Sequence, residues 1–150
     1  MMLRTPTLNS EQILALQQLM RLDHAFAIKT KLKESTGETL LCFELLRVAD
    51  LAASIAAPFF LAHGIMTRNN QNLIQVPIQE HHHSYFLSLL QMPIQDLISQ
   101  VFYETDTQAQ VLQAIQPHVA DLREAFQNSG HVDPDLTNIK VGVNRDWSVN

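Results

Sequence analysis

The feature that most constrains the fold is a run of 26 residues, Glu38 to His63, with no glycine and only four charged side chains. Apolar residues recur along this run at alternating steps of four and three, which is typical of a helix packed against other helices. This row consists of Leu41, Leu45, Val48, Ala52, Ile55 and Phe59. A second apolar row, which includes Leu51, lies beside it and leaves only a narrow polar strip around Glu44, Arg47, Asp50 and Ser54.

A helix with two apolar rows has more surface to bury than one neighbouring helix can cover. We therefore predict that residues 38–63 form a helix in the middle of a bundle or across a subunit interface. The residues predicted to form that interface are Leu41, Leu45, Val48, Leu51, Ile55 and Phe59.

The composition indicates one ordinary globular domain in a reducing compartment. The chain has 150 residues, of which 46% are hydrophobic and 17% are charged, with a net charge of −5. The single Cys42 lies in the apolar run, so we expect a buried, unreactive thiol and no internal disulfide. The start of the chain lacks the apolar segment of a signal peptide, and Leu51–Ala62, at 12 residues, is too short to cross a bilayer. These features predict a cytoplasmic protein without a membrane segment.

The spacing of capping residues, prolines and glycines predicts a mainly α fold, a helical bundle of four to five helices. Asn9 and Gln12 fit a capping box at the start of the first helix, and Gly64 is the expected C-cap of the central helix. A minor β element is expected from residues 73–76 and 139–143, which could pair with each other. We expect residues 1–130 to form the helical domain and residues 131–150 an extended C-terminal arm.

Glu80-His81-His82-His83 is the most conspicuous polar cluster. Imidazoles on alternate residues, His81 and His83, could bind one metal ion if the segment is extended. The alternative is a polar stretch in front of a helix that starts near Ser84. Arg47 lies between Glu44 and Asp50 at helical spacing, which predicts an intrahelical ion pair, or else a buried arginine that positions a ligand or partner carboxylate. No motif indicates a catalytic nucleophile or a cofactor.

Basic residues are distributed unevenly, which bears on nucleic-acid binding. Between Arg68 and Arg123 lie 54 residues without a lysine or arginine. Residues 86–101 have the outline of two helices joined by a tight turn. The second of these helices, however, would present only uncharged or acidic side chains to a DNA groove. Because lysine and arginine supply most of the affinity for phosphates, we predict that the isolated chain does not bind nucleic acid directly.

Two apolar segments, Phe60-Leu61-Ala62-His63-Gly64-Ile65 and residues 86–97 around Met92-Pro93, resemble FlhD-type subunits of flagellar master regulators and their mobile-element relatives. The resemblance covers about a third of the chain. It implies a small helical dimer that activates transcription together with a second subunit.

These observations favour a non-enzymatic regulatory or adaptor protein that acts by protein–protein contact, as a homodimer or as a subunit of a larger complex. A subunit of a transcriptional regulator is one member of this class. The alternative from another class is a small-ligand or metal-binding enzyme that uses the His81–His83 segment and Arg47.

Overall fold

The structure, a computed structural model, describes residues 3–34 and 37–132. The mainly α fold with a small β element is confirmed. In chain order the elements are β1 (Leu3–Thr5), β2 (Thr7–Asn9), α1 (Ser10–Glu34), α2 (Glu38–Asn69), β3 (Leu73–Gln75), β4 (Ile78–Gln79), α3 (Glu80–Gln91), α4 (Ile94–Val101), α5 (Thr105–Gln127) and β5 (Gly130–Val132).

The first helix begins where the capping box predicts. The backbone N–H of Gln12 donates to Asn9 Oδ1 and the backbone N–H of Asn9 donates to Gln12 Oε1, both at 2.8 Å. These two bonds satisfy backbone groups that a helix start would otherwise leave unpaired. From this start α1 runs through the centre of the bundle, in contact with α2, α4 and α5.

The core lies around three phenylalanines from three helices. Phe86 of α3 is fully buried, and its ring centroid lies 5.1 Å from that of Phe59 in α2 and 5.2 Å from that of Phe126 in α5. The first contact is edge-on, a geometry that aromatic quadrupoles favour. The buried apolar face of α1 packs around this cluster with Ile13, Leu16, Leu19 and Leu22.

The central helix α2 is longer than predicted because it does not end at Gly64. Proline 58 has no N–H for the carbonyl four residues back, yet the helix continues for eleven residues beyond it, to Asn69. The expected cap at Gly64 is wrong: the cap is Asn70, in the left-handed conformation with φ of 54°, and its N–H donates to the Met66 carbonyl.

Within one chain, α2 lies on the outside of the bundle and not in its middle. It packs mainly against α1 and β3, and only its C-terminal part enters the core, through Phe59, Ala62 and Met66. The prediction of a central position in the bundle is therefore wrong for the single chain. The other predicted alternative, a helix across a subunit interface, remains a prediction.

Among the described residues, one helix is long and apolar enough to cross a membrane by length and composition, namely Leu41–Asn69 of α2. Only 11% of its most apolar stretch is buried inside the chain. The charge-free segment Leu51–Ala62 is only part of this helix, which extends well beyond it at both ends.

The strands form two small antiparallel sheets near the chain termini. In one sheet β1 lies between β4 and β5, and in the other β2 pairs with β3. Residues 73–75 thus pair with Thr7–Asn9, whereas the predicted partner, 139–143, lies outside the described residues, as does the arm beyond Val132. His131 and Val132, expected to begin the arm, belong to β5.

Arg4 of β1 donates two hydrogen bonds from Nε and Nη2 to the Glu80 carboxylate, at 2.9 and 3.0 Å, and so joins the sheet to α3.

Candidate functional site

The side of α2 that faces away from α1 forms an apolar surface on the described chain. We call this surface the outer face. Its members follow one another at steps of three or four residues, and all are exposed: Phe43, Leu46, Asp50, Ala53, Ala57, Leu61 and Gly64. Phe43 is 67% exposed, Leu46 62% and Leu61 55%, which is unusual for residues of this size. Clustered exposure of this kind marks an interaction surface more often than scattered apolar residues do.

The middle of the outer face is flat because its residues are small. Ala53 and Ala57 lie one turn apart, and Gly64 follows towards the C-terminal end of the helix. A Cβ atom built on Gly64 would meet no atom within 4 Å. Small residues let the backbone of another helix approach closely, with the larger Leu46 and Leu61 available on the same face.

Charged groups lie at one edge of the outer face. Glu44 Oε2 is 3.3 Å from Lys31 Nζ of α1 and 3.4 Å from Arg47 Nη2. Arg47 therefore forms the predicted intrahelical ion pair, and its side chain is 67% exposed, which argues against the alternative of a buried ligand-positioning arginine. Asp50 is the one formally charged residue on the outer face itself.

The structure places the predicted interface residues mostly on the opposite side of α2. Phe59 is fully buried in the core of its own chain and is not accessible to another molecule. Leu41, Leu45, Val48 and Ile55 are half-buried, and only Leu51 is largely exposed. The helical period was correct, but periodicity does not say which row the rest of the chain covers. Cys42, expected to be buried, is exposed, because it lies on a flank that α1 does not reach.

The histidine cluster is helical rather than extended. Glu80, His81, His82 and His83 form the first turn of α3, so the predicted polar stretch before a helix at Ser84 is wrong. Successive side chains on a helix point about 100° apart, and His81 is exposed while His83 is buried. Among the described residues, no group of three or more His, Cys, Asp or Glu side chains could hold a metal ion. His83 and Arg47 also lie apart, since His83 faces α5 and Arg47 faces solvent.

His83 contacts the end of α5. Its Nε2 lies 2.7 Å from the carbonyl oxygen of Phe126, and the Ser129 hydroxyl lies 2.9 Å from both atoms. The last carbonyls of a helix have no partner within the helix, so this contact satisfies one of them in a buried position. The geometry gives His83 a structural role.

We expect His83→Ala to lower the free energy of unfolding by about 1–3 kcal/mol, because the Phe126 carbonyl loses a buried hydrogen bond. The matched control is His81→Ala, two residues away and exposed, which should change it by less than about 0.5 kcal/mol. Urea unfolding monitored by circular dichroism measures both. Equal effects of the two substitutions would contradict the structural role of His83.

A cavity of about 380 Å³ lies between α1, α2 and α3; we call it the three-helix pocket. Its apolar walls come from α1 and α2, and include Met20, Ala27, Val48, Leu51, Ala52 and Ile55. Its polar groups are Asp23 and His24 of α1 and His81, His82 and Tyr85 of α3. Of the residues proposed as an enzyme site from sequence, His81 and His82 line the pocket, whereas His83 and Arg47 do not.

The polar part of the three-helix pocket is organised by one short hydrogen bond. The Tyr85 hydroxyl donates to Asp23 Oδ2 at 2.5 Å. Burial raises the pKa of Tyr85, and the hydrogen bond to Asp23 and its negative charge raise it further, so the phenol stays protonated. Burial also lowers the pKa of His82, with a smaller contribution from His81. His24 Nε2 is buried without a hydrogen-bond partner in the part of the chain that the structure describes.

Sequence reasoning missed Asp23, His24 and Tyr85 as members of a site. Asp23 and Tyr85 are 62 residues apart, and each reads in sequence as an ordinary polar position on an amphipathic helix. Only the tertiary fold, in which α1 and α3 both pack against α5, brings them together. Comparison with known proteins adds nothing here, since no protein-family model, no curated protein and no solved structure matches this chain.

Proposed function

We propose that this chain is a non-enzymatic regulatory or adaptor protein that acts by protein–protein contact, with the outer face of α2 as its contact surface. The observation that carries this proposal is the exposure of Phe43, Leu46 and Leu61 on one continuous side of a helix. Soluble proteins seldom leave such a row in water, because burying each of these side chains contributes about 1.5–3 kcal/mol.

We propose a second copy of the chain as the partner of this face. The large exposed side chains of α2 on and beside the outer face amount to on the order of 500 Å² of surface per chain. Two such faces together reach about 1,000 Å², the lower range of specific interfaces. The face also carries few charges to desolvate, since Asp50 is its one charged member.

A protein partner suits the outer face better than a lipid bilayer. Glu44, Arg47 and Asp50 all lie within the apolar segment of α2, and Glu44 is joined to Lys31 of α1. Insertion of α2 would remove Phe59, Ala62 and Met66 from the core of the chain, and would bring the charged groups of its N-terminal half to the membrane, where each is costly. In the proposed dimer, Glu44 and Arg47 at the edge of the face stay in water, and Asp50 is the one charged member of the face that the contact would desolvate.

The test of this surface is a substitution of Gly64. A larger side chain there should have little effect on the stability of the single chain but should interfere with a partner packed against it. Because a Cβ atom at this position meets no atom within 4 Å, Gly64→Gln should raise the free energy of unfolding of the monomer by up to about 1 kcal/mol through helix propensity. Against a closely packed partner helix, the same side chain should weaken association at least about tenfold. Sedimentation equilibrium measures association. If Gly64→Gln associates as tightly as wild type, the outer face is not the contact surface.

A subunit of a transcriptional regulator is the more specific version of this proposal. Helices α3 and α4 are joined at Met92 and Pro93, as in the predicted helix–turn–helix outline. The exposed residues of α4, however, are Gln95, Asp96, Ser99 and Gln100, none of which is basic. A positively charged DNA surface would have to come from a partner subunit or from the N-terminal region of the chain.

We therefore expect no binding of double-stranded DNA by the isolated chain at about 150 mM salt. Fluorescence anisotropy of a labelled duplex, titrated with protein at several salt concentrations, measures this. Sub-micromolar binding that weakens as salt rises would contradict the expectation and would direct attention to the basic residues of α1, which are Arg21, Lys29, Lys31 and Lys33.

A further inference from the structure

The three-helix pocket contains a carboxylate without a cationic partner. Asp23 accepts the Tyr85 hydroxyl, and no ion pair of Asp23 exists among the described residues. Among the described residues, none that lines the pocket is a lysine or arginine. A half-buried carboxylate beside apolar walls is stabilised by an opposite charge, and the protein supplies none from the described part of the chain.

Aromatic rings surround the same part of the pocket. Tyr85, His81 and His82 of α3 line it opposite Asp23 and His24 of α1. Aromatic faces attract cations through their ring quadrupole, and this attraction strengthens when water is excluded. The Asp23 carboxylate beside the Tyr85 ring therefore suits an ammonium group.

The remaining wall of the pocket suits an apolar ligand body. Met20, Val48 and Ile55 provide flexible and branched aliphatic surface, and Leu51 lies at the exposed side. The volume of about 380 Å³ falls within the range of small-molecule sites.

From this geometry we propose that the three-helix pocket binds a small amine with an apolar body, its ammonium group on Asp23 and its apolar part against Met20, Val48 and Ile55. Asp23 provides the charge, Tyr85 holds the carboxylate in place, and the walls select for shape. This site is separate from the outer face of α2, so it stands or falls independently of the proposed function.

The test compares three probes of similar shape and different charge: 2-phenylethylamine, 2-phenylethanol and phenylacetate. Isothermal titration calorimetry of the full chain at pH 8, where imidazoles are ordinarily neutral and the amine is protonated, gives each affinity. Methyl chemical shifts of Met20, Val48 and Ile55 locate the ligand. We expect the amine to bind at least about tenfold more tightly than the alcohol, and phenylacetate to bind more weakly still.

The variant that tests the role of charge is Asp23→Asn, which keeps an oxygen that can accept the Tyr85 hydroxyl. It should remove the preference for the amine over the alcohol, and Asp96→Asn, an exposed carboxylate on α4 outside the pocket, should leave it unchanged. Equal affinities of wild type for the amine and the alcohol, tighter binding of phenylacetate, or no binding of the amine up to about 10 mM would each overturn the proposal. An amine preference that survives Asp23→Asn would overturn it too.

Discussion

Leu61→Asp should convert the protein from a dimer into a monomer. Leu61 lies on the outer face, 55% exposed in the single chain, so the substitution leaves the fold of the monomer intact. In the dimer it places an unpaired carboxylate in an apolar contact, once in each copy. We expect the dissociation constant to rise at least about 100-fold, or about 2.7 kcal/mol. Light scattering after size-exclusion chromatography, over a concentration series, measures the change.

The matched control is Leu14→Asp. Leu14 is also a leucine on a helix and is 45% exposed, and it shares a side of α1 with Gln18 and Arg21, which line a groove beside α4 and α5 and away from α2. This variant should keep the mass and the dissociation constant of wild type. Equal effects of Leu61→Asp and Leu14→Asp would contradict a specific contact through the outer face.

Phe86→Ala should lower the free energy of unfolding by about 3–5 kcal/mol. Its ring is fully buried between Phe59 and Phe126, so truncation removes contacts with two helices and leaves a cavity at the centre of the core. The comparison is Phe43→Ala on the outer face, which removes the same atoms from a side chain that is 67% exposed. It should cost less than about 0.5 kcal/mol.

Both phenylalanine variants should be measured by urea unfolding in the monomeric Leu61→Asp background, because association adds its own stability to the folded state. Phe86→Leu, which retains most of the apolar volume, should give a smaller loss and keeps the comparison measurable if Phe86→Ala does not fold. Similar losses for Phe86→Ala and Phe43→Ala would contradict the difference in burial on which the proposed surface depends.

Local signals in the sequence predicted the helical elements well. The capping box of Asn9 and Gln12 marks the start of α1, and Met92-Pro93 separates α3 from α4, as expected. Such signals depend on neighbouring residues and on backbone chemistry, so they do not require knowledge of the fold. The ends of α2 were harder to predict, because Gly64 and Pro58 each permit a continuing helix when the rest of the sequence favours one.

The position of each helix face in the fold was less predictable from the sequence than the helices themselves. The apolar rows of α2 indicate how much surface needs covering, but they do not specify that α1 covers the row with Phe59 and leaves the row with Phe43 in solvent. Likewise, the side chains of His81 and His83 diverge because the segment belongs to helix α3. Phe86 and Leu90 of the same helix are buried in the core. The Asp23–Tyr85 contact depends wholly on the tertiary arrangement that brings α1 and α3 within reach of each other.

The mass of the untagged full-length wild-type chain in solution is the most direct test of the proposed contact surface. Sedimentation equilibrium between about 1 and 50 μM spans the range in which an interface of about 1,000 Å² should associate. We predict twice the chain mass of 17.0 kDa at the upper end of that range, with dissociation on dilution. A single-chain mass of 17.0 kDa at every concentration would contradict the proposal that a second copy covers the outer face of α2.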